Sequence, residues 1–593
     1  MPANYSRPVT FGLAALACAA LLAPATASAD NHQATTIREA ATPFDRPDNV
    51  PAASDVTIRS LRFRPDNADD PMDTFEAMDD FHATRLEWLY LVDVGEAVNP
   101  EVKDKIDAVK ATGRRFGGAS NASSGAYVEW DDSGEGNHVK KHSMVGRDGE
   151  PLIHPHMKAW DRPQSPGCMN DPAYVQGHLD YLKEYIDYGA TMMQRDEPST
   201  QSDFAKKGLG CFGPHCMEGF RAYLKENVPA SELKAMQITD IDSFDYGDYL
   251  DQMDAPAGDS DFDWSDPNAK EYAGGELQKH FVAFQTDAEN SFFKQIRAGL
   301  DDYTADMDPP FQYTCNNTSF QRWDDAWMSS FDFAISELMM KSAKPGHIYD
   351  RAQKARSLGS MQVFGTPKTM GKTYDDEWLT RLKRQVISTA YASGGLSRVP
   401  WDIFQQSTDG KSRYFGKPSE FADLYGFVRG SHADLEGFDT AGAFGLGIED
   451  DRYGDHPPVK RVSGSPDLCL FLRADADDAD APVMIHAVDW SEYDSAPFRL
   501  ELQNAAFFPG KDLKVTLLQP AAYDAQAHAD AEEAAQAMRG DNPRLGPDQA
   551  SAYADLVDAT PLDATAKAGA DGITVVQVPA VKPWGILRIE PAD

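Results

Sequence analysis

The segment Gly189-Ala190-Thr191-Met192-Met193-Gln194-Arg195-Asp196-Glu197-Pro198 is a short apolar run that ends abruptly in a cation and two adjacent carboxylates. A like charge alongside raises a carboxyl's proton affinity, so Glu197 next to Asp196 suits a general acid, while Arg195 would hold the neighbour ionised. A second carboxylate, Glu337, closes Phe331-Asp332-Phe333-Ala334-Ile335-Ser336-Glu337-Leu338, where an unpaired buried charge would be costly. The ends of other apolar runs carry Trp88, Tyr90, Asn316, Asn317, Lys368, Trp401 and Asp402. Two carboxylates on different strands, with aromatic rings nearby, suit the breaking of a glycosidic bond. One acid protonates the leaving oxygen, the other serves as nucleophile or base, and the rings stack on sugars. The bland alternative for each carboxylate is a helix cap or a structural ion pair.

These residues need a frame that brings strand ends together. Asp171-Pro172 starts a helix with apolar residues at Val175, Leu179, Leu182, Tyr185 and Ile186, and Gly189 stops it before the strand. From residue 56 the chain repeats this helix-strand pattern, with apolar runs at 56–63, 84–92, 115–119, 190–194, 311–316, 331–338, 361–365 and 395–403. Eight such units predict an α/β fold, a (β/α)₈ TIM barrel, whose functional residues sit past the C-terminal strand ends. By that rule Arg62, Arg64, Glu87 and Asn121 also point toward the mouth. An acidic, aromatic stretch at 240–266 reads as a solvated insertion. Six further runs at 468–473, 483–488, 498–502, 513–518, 573–578 and 585–589, interrupted by Ala-rich 521–538, predict a C-terminal antiparallel β-sandwich domain. Asp475, Asp477, Asp478 and Asp480 lack the glycine and closing glutamate of a calcium loop.

The expected organisation is a signal peptide at 1–29, an arm or linker at 30–55, a catalytic barrel at 56–440 and a β-sandwich at 441–593. The leader has Arg7, an apolar stretch and Ala27-Ser28-Ala29, which predicts a secreted or periplasmic protein. The formal net charge of −38 disfavours nucleic acid and anionic membranes as partners. A polyanionic ligand would need a local basic cluster, for which Arg195, Lys368, Lys372 and Arg398 are available if the fold gathers them. Cys168, Cys211, Cys216, Cys315 and Cys469 follow the leader. An oxidising compartment favours a disulfide, most simply Cys211 with Cys216 or either with Cys168. A zinc reading would use Cys168, Cys211, His215 and Cys216, but without a standard spacing. No cofactor or active-site metal is expected.

The run from Asn170-Asp171-Pro172 through Gly189 to Asp196-Glu197-Pro198 resembles the fourth β-α unit of retaining clan A glycoside hydrolases, especially the family 42 β-galactosidase-like enzymes. Cys211 to Cys216 followed by Phe220-Arg221-Ala222-Tyr223-Leu224-Lys225 is similar to the same group, as are Val578-Pro579 and Trp584-Gly585-Ile586-Leu587 to its accessory β-domain. The resemblance implies a secreted glycosidase acting on a polysaccharide or oligosaccharide, with Glu197 as acid/base. The chain departs from the pattern in two places. Asp196 stands where the family has Asn, and Glu337 falls on the sixth run where the family nucleophile is on strand seven, unless a further strand lies around 151–156. An Asp-Glu pair ending strand four also resembles the substrate-assisted hexosaminidases of families 20 and 123, in which Asp orients a substrate acetamido group. Two other classes stay open: a polysaccharide lyase using Tyr90, His154 or His156 as base, and a non-catalytic carbohydrate-binding barrel.

Overall fold

The computed structural model describes residues 35–60, 74–89, 100–120, 142–154, 165–196, 198–258, 275–317, 322–369, 374–406, 412–492, 495–539, 547–567 and 572–592. Each apolar run yields a parallel strand: β1 Thr57–Arg59, β2 Arg85–Leu89, β3 Arg115–Ser120, β4 Met192–Arg195, β5 Gln312–Asn316, β6 Phe333–Ser336, β7 Gln362–Phe364 and β8 Leu396–Ser397. They pair in chain order, and a parallel bridge from Thr57 to Arg398 brings the last strand back to the first. The sheet therefore curls into a TIM barrel. Its strands read as short apolar runs because both faces are covered: β2, β4, β5, β6 and β7 are buried along their whole length.

The helix before β4 forms for the reasons legible in its sequence. Asp171 caps it by accepting from the Ala173 amide, Pro172 takes the first turn, and Gly189 at φ 103° lets the chain reverse into the strand. Residues 151–154 supply only an isolated antiparallel bridge, Val145 to Pro151, so no extra barrel strand lies there and Glu337 directly follows β6.

Between β4 and β5 the chain builds a helical insertion with its own core of Phe220, Tyr246, Phe281 and Phe284. The expectation of a solvated loop at 240–266 is corrected for its first half. Helix Tyr246–Gln252 buries Tyr246 and Leu250, because its aromatic residues pack on Phe281 of the long helix Gly275–Tyr303.

After β8 a short hairpin, β9 Ile403–Gln406 and β10 Ser412–Tyr414, precedes two antiparallel sheets. One has the order β11-β13-β14-β20-β16-β17, with β11 Asp439–Phe444, β13 Leu468–Ala474, β14 Val483–Asp489, β16 Leu513–Pro520, β17 Val557–Leu562 and β20 Trp584–Pro591. The other has β12 Val459–Ser463, β15 Phe498–Gln503, β18 Ala564–Ala566 and β19 Ile573–Val578. Leu472, Ile485, Leu500 and Val576 fill the space between the sheets. The alternate residues of the larger sheet, Phe471, Met484 and Ile586, join the barrel core instead, so this sheet is sandwiched on both faces. No described helix is long and apolar enough to cross a membrane.

The Ala-rich stretch forms helix Ala525–Arg539, which docks on the N-terminal side of the barrel through one buried carboxylate. Glu532 accepts from Arg114 at 2.8 Å and from Tyr553 at 2.8 Å, and it lies 3.0 Å from His82. Glu532→Ala would leave the Arg114 guanidinium to Asp79, which it meets at 2.5 Å, and would take the shared acceptor from Tyr553; it is expected to cost about 1–3 kcal/mol. A denaturant titration should show the loss, and an unchanged midpoint would mean the helix is held by packing alone.

Candidate active site

At the C-terminal ends of the barrel strands the structure assembles an ionic cluster around Glu337. Lys368, in the loop after β7, lies 2.5 Å from one carboxylate oxygen of Glu337, and Arg59, the last residue of β1, lies 3.6 Å from the other. Arg398, just past β8, is 3.8 Å from Glu87 on β2. Arg59 and Arg398 both lie against the indole of Trp88, at 3.9 and 5.2 Å from its centroid. Trp88 sits at φ 61°, where the β2–β3 register shifts between Leu86 and Leu89. That irregularity breaks the two-residue alternation and allows Glu87 and Trp88 to meet the same pair of guanidiniums. Gly365 makes room beside them, since a Cβ there would come within 2.7 Å of the Ser336 carbonyl and 2.9 Å of the Arg398 guanidinium.

The cluster sets the charge states of its carboxylates in opposite directions. Burial alone would raise the Glu337 carboxyl, but Lys368, Arg59 and Arg398 outweigh it and hold the group down at about 2. Glu337 is therefore ionised at any ordinary pH. Glu87 is fully buried, and there burial prevails over the attraction of Arg398 and pushes its carboxyl up. Just past β4, Asp196 accepts a hydrogen bond from the Asn316 amide on β5 at 2.7 Å, which ties one of its carboxylate oxygens to the neighbouring strand.

The remaining sequence candidates divide. Arg195 does not join the Lys368 group. Its guanidinium is buried on the helix side of β4, 3.3 Å from the Tyr174 hydroxyl and above the Phe292 ring. Successive strand residues face opposite sides, so Arg195 and Asp196 part company. Asn317 donates to Gln362 on β7 at 3.1 Å and is 1% exposed, in a network that also holds the Trp323 indole. Trp401 packs edge-on against Phe415 and is buried, as is Asp402 at φ 49°. Trp88, at 2% exposure, offers its faces to arginines among the described residues. His154 is buried against Phe204. Glu197, Tyr90, Arg62, Arg64, Asn121, His156 and Lys372 lie outside the described residues. Sequence reasoning missed Arg59 and Gly365. The available signal was an arginine inside the otherwise uncharged run Val56-Thr57-Ile58-Arg59.

A second cluster lies under the helical insertion. Cys168, Cys211 and Cys216 are buried with all three sulfurs within 4.8 Å of one another, Cys168 being 3.4 Å from Cys216 and 3.8 Å from Cys211. The expected disulfide is not formed; all three are thiols. Three sulfurs at these separations match the donor spacing of a thiophilic cation such as zinc, for which metal–sulfur bonds are about 2.3 Å. His215 is not the fourth donor, being 46% exposed and turned to Asp171 at 3.7 Å.

No protein-family profile matches the chain. Two curated relatives are similar over part of it: an alpha-agarase of Thalassotalea agarivorans, 26% identical over 281 residues, and an alpha-agarase of Alteromonas agarilytica, 25% identical over 285. Each match covers 45% of this chain, and 18% and 19% of the respective relatives, so the chain spans less than a fifth of their length. Among solved structures, the Paenibacillus sp. cycloisomaltooligosaccharide glucanotransferase complexed with cycloisomaltoheptaose has a TM-score of 0.52 at 9% identity, covering 91% of this chain and 85% of that one. That likeness is one of fold.

Proposed function

We propose that the protein is a secreted glycoside hydrolase that cleaves a polysaccharide with two carboxylates, Glu197 as general acid and Glu337 as nucleophile or base. The observation that carries this reading is an ionised Glu337 at the C-terminal end of β6, in the same barrel mouth as Asp196 at the end of β4. A barrel uses that end for chemistry, and a carboxylate kept charged by neighbouring cations is ready to attack or to activate water. The similarity to alpha-agarases supports a polysaccharide substrate and makes agarose the first to assay. The division into a leader at 1–29, an arm at 30–55, a catalytic barrel at 56–440 and a β-domain at 441–593 belongs to the same proposal.

Family 42 membership rests on the strand-four segment, with Asp196 in place of Asn and the second carboxylate on β6 as its two departures. A substrate-assisted mechanism is the second reading, favoured by the Asn316–Asp196 hydrogen bond, which would hold Asp196 ready to orient an acetamido group. The lyase reading has less support, because His154 is fully buried.

Incubating the full chain with agarose and a panel of neutral, acetamido and uronate polymers tests the proposal. New reducing ends without ultraviolet-absorbing unsaturated ends are the expected result, and intact polymers throughout would refute it. The anomer released first, read by NMR, then reports retention or inversion. Retention corresponds to carboxyls about 5–5.5 Å apart and inversion to about 6.5–9.5 Å.

A further inference from the structure

We infer that the barrel mouth accepts a sugar bearing an anionic substituent, a sulfate ester or a carboxylate, which docks on Lys368 above Arg59 and Arg398; this rests on the hydrolase reading above. The chain carries a formal charge of −38, so its long-range field repels anions, and an anionic ligand requires cations concentrated where it binds. The fold supplies that concentration. Arg59, Lys368 and Arg398 follow or end β1, β7 and β8, more than 300 residues apart at the extremes; Arg59 and Lys368 share the Glu337 carboxylate, and Arg59 and Arg398 share the Trp88 indole.

Gathering like charges is unfavourable unless anions offset them. Glu337 faces Lys368 and Arg59, Glu87 faces Arg398, and burial pushes the Glu87 carboxyl up. The accessible member is Lys368. Its side chain is 22% exposed and that of Glu337 12%, while Arg59 and Arg398 form the floor at 2% and 3%. A sulfate or carboxylate oxygen arriving from solvent therefore meets the Lys368 ammonium first and competes with Glu337 for it through a charge-assisted hydrogen bond. A bound anion would loosen the tightest contact on Glu337 and leave that carboxylate facing the ring. A neutral sugar would leave Lys368 clamped on it.

The test compares the full chain on a sulfated galactan, the same galactan after chemical desulfation, and polygalacturonate. The kcat/KM on the favoured anionic polymer is expected to exceed that on the neutral one by about tenfold or more at low salt, the effect of one charge-assisted hydrogen bond. The gap should narrow as ionic strength rises. Lys368→Met should shrink it to about twofold or less, and Lys368→Arg should retain it. Preference for the sulfated polymer identifies a sulfate site and preference for polygalacturonate a carboxylate site. Equal or better cleavage of the desulfated galactan overturns the inference while leaving the hydrolase reading intact. If no polymer is cleaved, the hydrolase reading fails by itself, and calorimetric titration with sulfated and desulfated oligosaccharides decides the anion site, equal affinities overturning it. If Lys368→Met does not fold, inorganic sulfate should inhibit the native enzyme competitively, and no inhibition beyond that of chloride at matched ionic strength counts against the site.

Discussion

Glu197→Gln is expected to fold like the native chain and to lose roughly 10² to 10⁴ in turnover, the usual contribution of a positioned general acid. The motive is its position in the sequence, two residues past Arg195, the last residue of β4, since barrel enzymes carry their chemistry just beyond the C-terminal strand ends. An amide has nearly the shape of the acid but no proton to deliver, so binding should change far less than kcat. The pH profile adds a second check, because the basic limb of kcat/KM should follow the acid and disappear in the variant. A substrate with an activated leaving group, which needs little protonation, should recover much of the lost rate. Near-native turnover on natural polymer would remove Glu197 from the mechanism.

Glu337 should give the other large effect. Glu337→Ala is expected to abolish hydrolysis on natural polymer, and azide should restore turnover with release of a glycosyl azide if the lost group is a nucleophile. The same change leaves Lys368 and Arg59 without their carboxylate, so Glu337→Gln, which keeps the volume, should be measured beside it and its fold checked by circular dichroism. Asp196→Ala provides the contrast. In the two-glutamate scheme it weakens the enzyme moderately through the lost Asn316 contact, whereas in the substrate-assisted scheme it matters more than Glu337 and activity requires an acetamido sugar. Azide rescue at neither position, with Glu337→Ala fully active, would sink the assignment.

Acid titration follows from the same cluster. Glu337 is held at about 2 when folded, whereas a glutamate in an unfolded chain titrates near 4.3. A depressed carboxyl stabilises the fold above its unfolded value, so this contribution is complete above about pH 4.3 and is lost as pH falls toward 2. Activity that declines on acidification well above that window must therefore report another group. If Glu337→Gln erased an acid limb near pH 5, the pairing with Lys368 and Arg59 would be weaker in solution than the geometry implies.

The eight-stranded barrel was legible in the chain because each of its strands is buried on both faces, and a doubly buried strand is a short apolar run whatever its neighbours are. The larger antiparallel sheet was legible in part for the same reason. β12, β17 and β18 escaped because their residues are mostly exposed or half-exposed and carry no apolar signature. β11 escaped because the centre of Asp439-Thr440-Ala441-Gly442-Ala443-Phe444 is Ala-Gly-Ala, with no bulky apolar or β-branched side chain, and becomes strand by pairing with β13. Adjacency misled at Arg195, which sequence placed beside the acidic pair and the pleat turned to the helices. The cations that govern Glu337 were invisible as a group, since Arg59, Lys368 and Arg398 are near one another only after strands from both ends of the barrel close. Local apolar patterning determines which segments become strands, because burial is a property of each residue. Charge pairing across the mouth depends on distances between strand ends, and the chain acquires those distances only when the sheet curls shut.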